Sequence, residues 1–144
     1  MIVLDTTILV YAKGADHPLR QPCRAFLEAV AAGAIEATTS PEVIQEFVHV
    51  RVRRRPRQDA AALGRSFAEL LSPLLTIEEQ HLAAGLHLFE RHASLGAFDA
   101  VLAAAAIDSG AEVIVSADRT FSEVQGVRHL APGTRDFGRL FRSS

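Results

Sequence analysis

Residues 1–12 read Met1-Ile-Val-Leu-Asp-Thr-Thr-Ile-Leu-Val-Tyr-Ala12, and this stretch decides the fold class. Its first four residues are an apolar run of strand length, and the run ends at Asp5 in a polar turn. A helical apolar pattern begins directly after that turn. The sequence therefore predicts a buried first strand that carries a carboxylate at its carboxyl end.

The same arrangement occurs late in the chain, where Asp118 stands just past the apolar run Val113-Ile-Val-Ser-Ala117. Strands are predicted near residues 1–5, 35–39, 74–77, 112–116 and 127–130, and helices near 6–13, 18–32, 41–54, 58–71, 78–93 and 97–109. This alternation is typical of an α/β protein with three α/β/α layers, whose sheet is mainly parallel. We expect four or five strands in one domain spanning residues 1–144.

Two helix starts carry further acids to the same edge, because crossover helices place their N-termini beside the carboxyl ends of the strands. Glu46 lies in the helix that follows Ser40-Pro41, at the border of its apolar face, and is predicted to lean inward. Asp99 opens a helix with almost no polar face, so nothing there solvates it cheaply. Ligands of parallel sheets bind at this edge.

Each acid alone has an ordinary reading as a helix cap or a solvated surface group. Their common edge is not explained in that way, because several close carboxylates repel one another and need cations or protons. Hard oxygen ligands select Mg²⁺ or Mn²⁺. Asp5, Glu46, Asp99 and Asp118 are therefore the predicted metal ligands and catalytic residues.

The rest of the chain excludes other kinds of site. The histidines lack zinc-ligand spacing, no Gly-rich phosphate loop follows a strand, and the lone Cys23 falls on a predicted core stripe. The N-terminus lacks the pattern of a signal peptide, and no apolar run is long enough to span a bilayer. We expect a cytoplasmic protein with no membrane contact.

Basic charge is local, since the net charge is only −2. Five arginines crowd around the end of the Glu46 helix and form what we call the arginine cluster: Arg51, Arg53, Arg54, Arg55 and Arg57. The cluster is a candidate for binding phosphate groups or a protein partner. A solvated helix end explains it equally well.

Four blocks together resemble the PIN-domain ribonucleases, and most closely the VapC-type toxins of bacterial toxin–antitoxin pairs. They are Val3-Leu-Asp-Thr-Thr-Ile-Leu-Val-Tyr-Ala12, Ser40-Pro-Glu-Val-Ile-Gln-Glu-Phe47, Phe98-Asp-Ala-Val-Leu-Ala-Ala-Ala105 and Val115-Ser-Ala-Asp-Arg-Thr-Phe121. The resemblance implies a PIN-like fold and a Mg²⁺-dependent endoribonuclease in which Mn²⁺ substitutes. It also implies an RNA substrate, a VapB-like antitoxin, and a homodimer or a heterotetramer or larger assembly with that antitoxin.

The same resemblance implies that the four acids hold the metal and that Thr7 and Ser116 support them. One position departs from the family pattern, because many relatives have a further Asp where this chain has Thr120. An alternative function is a catalytically silent PIN-like module that binds RNA or protein. A haloacid-dehalogenase-type phosphatase and a phosphorelay receiver are disfavoured, because each needs a second acid beside the first and a later Lys, and Lys13 is the only lysine.

Overall fold

The computed structural model describes residues 1–142 and contains a four-stranded parallel sheet. Its strands are β1 (Ile2–Leu4), β2 (Ala37–Thr38), β3 (Val113–Val115) and β4 (Arg128–Leu130). They lie in the order β2-β1-β3-β4, and every neighbouring pair is parallel. The α/β class and the parallel sheet are therefore confirmed, with β1 and β3 side by side at the centre.

Seven α-helices and one 3-10 helix flank this sheet within residues 1–142. The helices are α1 (Thr6–Lys13), α2 (Arg20–Ala31), α3 (Pro41–Arg51), α4 (Arg57–Leu70), α5 (Glu79–Arg91), α6 (Ala97–Asp108) and α7 (Arg135–Arg139), and the 3-10 helix is Arg119–Glu123. The six helices expected from the sequence are all present, with ends shifted by up to three residues. The 3-10 helix and α7 were not predicted. No helix within residues 1–142 combines the length and apolar character needed to cross a lipid bilayer.

The predicted strand at residues 74–77 is wrong, because this segment contains no strand. One backbone hydrogen bond joins this segment to the residue that follows β2: the Leu75 N–H donates to the Thr39 carbonyl at 3.0 Å. The Thr38 hydroxyl lies 2.9 Å from the carbonyls of both Leu71 and Pro73. The Thr38 side chain thus joins the turn at Leu71 and Pro73 to the sheet, where backbone hydrogen bonds between strands were expected. Pro73 has no N–H to donate to such a bond.

The core lies between the sheet and the helices, and the central strands supply its middle. Val3, Leu4, Ile114 and Val115 are fully buried. Burying such side chains removes about 1.5–3 kcal/mol of unfavourable hydration each. A strand buried on both faces reads as a continuous apolar run, which is why β1 and β3 were visible in the sequence.

Helices α5 and α6 pack very closely, and Gly85 makes this possible. A Cβ atom built on Gly85 would lie 2.6 Å from the Cα of Val101, so no larger residue fits without moving a helix. At the other end of the pair, His81 Nε2 lies 2.9 Å from Oδ2 of Asp108. This packing fixes the position of the first turn of α6, which carries Asp99.

Candidate active site

Asp5 stands between β1 and α1, and its carboxylate is held from several sides. As the N-cap of α1 it accepts hydrogen bonds from the backbone N–H and the hydroxyl of Thr7, at 3.1 and 2.5 Å. Its other oxygen accepts from the Ser116 hydroxyl at 2.6 Å. Asp5 is only 3% exposed. Burial raises its pKa to about 6, although the hydrogen bonds from Ser116 and Thr7 oppose that shift.

Ser116 and Thr7 connect this carboxylate to the segment that follows β3. The Ser116 Oγ, which donates to Asp5, also accepts from the backbone N–H of Asp118 at 2.9 Å. The Thr7 hydroxyl accepts from the backbone N–H of Ala117 at 2.9 Å. The two residues therefore fix the end of β3 against the end of β1 at the position where both acids emerge.

Asp118 caps the 3-10 helix in the same manner as Asp5 caps α1. One oxygen of its carboxylate accepts from the backbone N–H of Thr120 at 3.0 Å and from the Thr120 hydroxyl at 2.8 Å. Thr120 occupies the place where the family pattern often has another Asp. Here it orients Asp118 and adds no charge.

Asp99 is the acid whose ionisation is most strongly disfavoured. It lies in the first turn of α6, half-buried, and its pKa rises to about 7. Burial is the main cause, followed by the negative charges of Asp5, Asp118 and Glu46 and by a hydrogen bond shared with Asp118. Each of these negative charges makes ionisation of its neighbours less favourable, so a proton or a cation bound here would be stabilising.

Glu46 stays exposed on α3, and its carboxylate is tied to α1 by one contact. Its Oε2 accepts a hydrogen bond from the hydroxyl of Thr6 at 2.9 Å. Its charge still acts on Asp99. Glu46 is thus the peripheral member of the set, and it reaches toward the other acids from the exposed side of the sheet edge.

All four acids meet at the carboxyl edge of the sheet, but they are not packed as a finished coordination shell. Within residues 1–142, no three His, Cys, Asp or Glu side chains are grouped as tightly as metal ligands. The donor set nevertheless fits Mg²⁺ or Mn²⁺, because it consists of carboxylate oxygens alone and its members destabilise each other's charge. A cation there would relieve that repulsion.

Sequence reasoning gave no supporting role to three residues of this region: Thr6, Thr120 and Glu42. Thr6 and Thr120 hold Glu46 and Asp118 through hydrogen bonds. Thr120 was noted only as a departure from the family pattern, and each threonine is a small polar residue within two positions of a predicted site residue. Glu42 lies in the first turn of α3 and was read only as part of a motif.

The arginine cluster lies at the other end of α1 and α3 from Asp5. Arg51 donates to Asp59 at 2.9 Å and to the carbonyl of Lys13, the last residue of α1, at 2.8 Å. The bond from Arg51 lowers the pKa of Asp59. Four of the five arginines are exposed: Arg53, Arg54, Arg55 and Arg57.

Cys23 takes no part in the site. It is fully buried, and burial raises the pKa of its thiol to about 12. A thiol that stays protonated is a poor nucleophile.

Comparison with known proteins identifies the family of this chain. The sequence profile of the PIN domain matches residues 2–127. The chain belongs to the PIN domain family. This family assignment confirms the resemblance carried by the four sequence blocks, and the parallel sheet flanked by helices is a PIN-like fold.

Three proteins named as ribonucleases are similar to this chain over most of its length. Ribonuclease VapC7 of Mycobacterium tuberculosis (strain ATCC 25618 / H37Rv) is 54% identical over 136 residues, which cover 92% of each protein. Ribonuclease VapC23 of the same strain is 34% identical over 124 residues, covering 85% of this chain and 96% of that protein. Ribonuclease VapC13 is 28% identical over 131 residues.

Proposed function

We propose that this chain is a single-domain, Mg²⁺- or Mn²⁺-dependent endoribonuclease that acts as the toxin of a VapBC-type toxin–antitoxin pair. One observation carries the proposal: carboxylates from four separate elements act on one another at the carboxyl edge of the sheet. The names of the relatives support it, because VapC7, VapC23 and VapC13 are ribonucleases.

The catalytic residues would be Asp5, Glu46, Asp99 and Asp118, which would also hold the metal. A bound Mg²⁺ or Mn²⁺ would supply an activated water and would stabilise charge on the phosphodiester. Thr7 and Ser116 keep the Asp5 carboxylate in one orientation, and Thr120 does the same for Asp118. Fixed carboxylates of this kind lose little conformational freedom when they engage a ligand.

The exposed members of the arginine cluster would bind backbone phosphates of the RNA, some distance from the cleavage point. Such contacts give affinity and salt sensitivity without sequence choice. Arg51 contributes less to this surface, because it already holds Asp59 and the carbonyl of Lys13.

The substrate is best tested by cleavage with matched acid variants. Purified protein would be incubated with mixed single-stranded RNA and Mn²⁺ or Mg²⁺, and products would be followed on gels. We expect Asp99→Asn to lower cleavage at least about 100-fold, the scale of losing a preorganised electrostatic contact. Asp16→Asn is the control, because its side chain is 97% exposed and remote from the sheet edge.

Equal cleavage by the wild type and Asp99→Asn would refute the nuclease proposal. If neither cleaved while both retained RNA or antitoxin binding, the chain would be a silent binding module of the PIN-like fold. Retained activity in Asp16→Asn separates loss of a particular acid from a general change of charge.

A VapB-like antitoxin and a second copy of the chain are the proposed protein partners. Helix α5 offers an apolar face for the second copy, because Leu82, Leu86 and Phe89 share one side and are 49%, 45% and 46% exposed. We expect Phe89→Glu to shift the protein from dimer to monomer in light scattering after gel filtration. A control at the exposed polar residue Gln58, Gln58→Glu, should leave the mass unchanged.

A further inference from the structure

A cavity of about 300 Å³ opens directly beside the carboxylates, between the start of α3 and the α5–α6 pair. Its walls are mostly apolar and include Val43, Ile77 and Val101, while Thr6, Glu46 and Asp99 border it on the side of the active site. The volume is at the lower end of the roughly 300–1,000 Å³ of small-molecule pockets. It suits one flat ring system, and any occupant would lie next to the reacting phosphate.

Glu42 gives this apolar cavity one buried acceptor without a donor. Its Oε2 is the one buried side-chain oxygen or nitrogen without a hydrogen-bond partner among residues 1–142. A helix N-terminus favours an acid, which explains a carboxylate in the first turn of α3 but not a buried oxygen left unpaired. An unpaired buried acceptor is costly, and Glu42 lines the cavity, so a donor from an occupant of the cavity would satisfy this oxygen.

Phe98 stands at the edge of the same cavity and is 76% exposed, the most exposed of the large hydrophobic residues. It comes immediately before Asp99, and both residues line the cavity. An exposed aromatic ring beside a nuclease site offers a face on which an unstacked base can lie.

We propose that this cavity binds one unpaired RNA base adjacent to the scissile phosphate, with Phe98 against the face of the base and Glu42 accepting from its Watson–Crick edge. The proposal rests on the ribonuclease function proposed above. An ionised carboxylate has two oxygens and only accepts hydrogen bonds. Guanine presents two adjacent N–H donors to it, whereas uracil presents a single N–H between two carbonyls, so guanine binds best and uracil worst.

Base preference at the cut site tests the role of Glu42. A library of randomised single-stranded RNA would be cleaved by wild type, Glu42→Gln and Glu79→Gln, and the new ends would be sequenced. Glu79→Gln is the matched control, since Glu79 is an exposed first-turn acid on α5. At one position beside the cut, we expect wild type and Glu79→Gln to favour guanine over uracil about tenfold. Glu42→Gln should reduce that ratio to about threefold or less, because an amide also donates to uracil.

Phe98 provides an independent readout. Phe98→Ala should lower cleavage about tenfold for every base while keeping their order, because stacking does not distinguish bases strongly. Phe98→Tyr keeps the ring and should restore most of the rate. Fluorescence anisotropy would compare Asp99→Asn with the double variant Asp99→Asn, Glu42→Gln, using oligonucleotides that differ by one guanine or uracil, and would measure binding without turnover.

A flat base profile in the wild type, or an identical profile in Glu42→Gln, would overturn the inference and would assign the cavity to a segment of a protein partner. Cleavage by the wild type no greater than by Asp99→Asn would instead refute the proposed nuclease function. In that case the anisotropy comparison still decides whether Glu42 selects a base.

Discussion

Helices α1 and α3 have opposite chemistry at their two ends. Toward the sheet edge, Asp5 caps the start of α1, and α3 carries Glu46 near its middle. At the far end, Arg51 closes α3 and binds the carbonyl of Lys13, the last residue of α1. A helix of eight residues is about 12 Å long, so Asp5 and the arginine cluster stand roughly that far apart, whereas Glu46 lies nearer to the cluster.

The two ends differ most in how firmly their charges are held. Asp5 is buried and accepts three hydrogen bonds from side chains and backbone. Most of the arginine cluster is exposed, and Arg51 alone of its members makes an ion pair that holds two helices together. Fixed charges suit the chemistry of a reaction, whereas solvent-exposed charges suit the binding of an extended polyanion.

Ser116→Ala tests the end of the helices where the acids are held by hydrogen bonds. It should have the largest effect of the changes considered in this Discussion. The change removes the donor to Asp5 and the acceptor for the Asp118 backbone N–H. Loss of a group that orients metal ligands typically costs about 10–100-fold in activity or metal affinity. We therefore expect a drop of that size in cleavage and a matching rise in the Mn²⁺ concentration that gives half-maximal rate.

The Mn²⁺ dependence distinguishes orientation of Asp5 from simple destabilisation. Ser66→Ala is the control, since its hydroxyl contacts only the Ala62 carbonyl on the surface of α4. A Ser116→Ala protein that melts earlier but keeps the wild-type Mn²⁺ dependence would show that Ser116 supports the fold rather than the carboxylate.

Replacing Arg53, Arg54 and Arg55 with Ala tests the arginine cluster. RNA binding should weaken about tenfold, and the slope of log affinity against log salt should fall by about 2, at roughly 0.7 for each single-strand phosphate contact. The control variant, in which Arg65, Arg91 and Arg142 are replaced with Ala, loses the same number of positive charges at other places. Equal salt slopes in the two triple variants would assign the cluster to antitoxin binding or to the surface.

The contrast between the two ends also explains which parts of the site could be predicted from sequence. Asp5 and Asp118 were visible because each follows a wholly apolar strand, a pattern that depends on neighbours in the chain. Asp99 was visible because its helix has no polar face. Their meeting at one edge then followed from the direction of parallel strands.

Features that depend on contacts between distant segments were not predictable. The bond from Thr6 to Glu46 spans 40 positions, and no local pattern marks it. The expected strand at residues 74–77 was wrong because an apolar run has the same pattern whether it pairs in a sheet or only packs against the core. Leu74 and Leu75 pack against the core without forming a strand. The unpaired oxygen of Glu42 likewise appears only once α5 and α6 close the cavity.

Repulsion among the four carboxylates predicts that Asp99→Asn makes the folded protein more stable. The folded-state pKa of about 7 lies above the ordinary 3.8, so the folded protein holds a proton more tightly than the unfolded chain. The stability linked to this group is complete below about pH 4 and is lost as pH rises through 7. In metal-free protein, Asp99→Asn should therefore unfold less readily than wild type at pH 8.

The difference between a pKa of about 7 and the ordinary 3.8 corresponds to about 4 kcal/mol in full, but solvent screening of a half-exposed group reduces the expected gain to about 1 kcal/mol. Urea unfolding in EDTA across pH 4–8 would measure it, with Asp16→Asn as the control of equal charge. The gain should shrink toward zero near pH 4. Saturating Mg²⁺ should close or reverse the gap, because the ion stabilises the folded wild type in proportion to its binding. A variant no more stable than wild type at pH 8 would mean that the four carboxylates are not in mutual repulsion, and the acidic end would then need no cation.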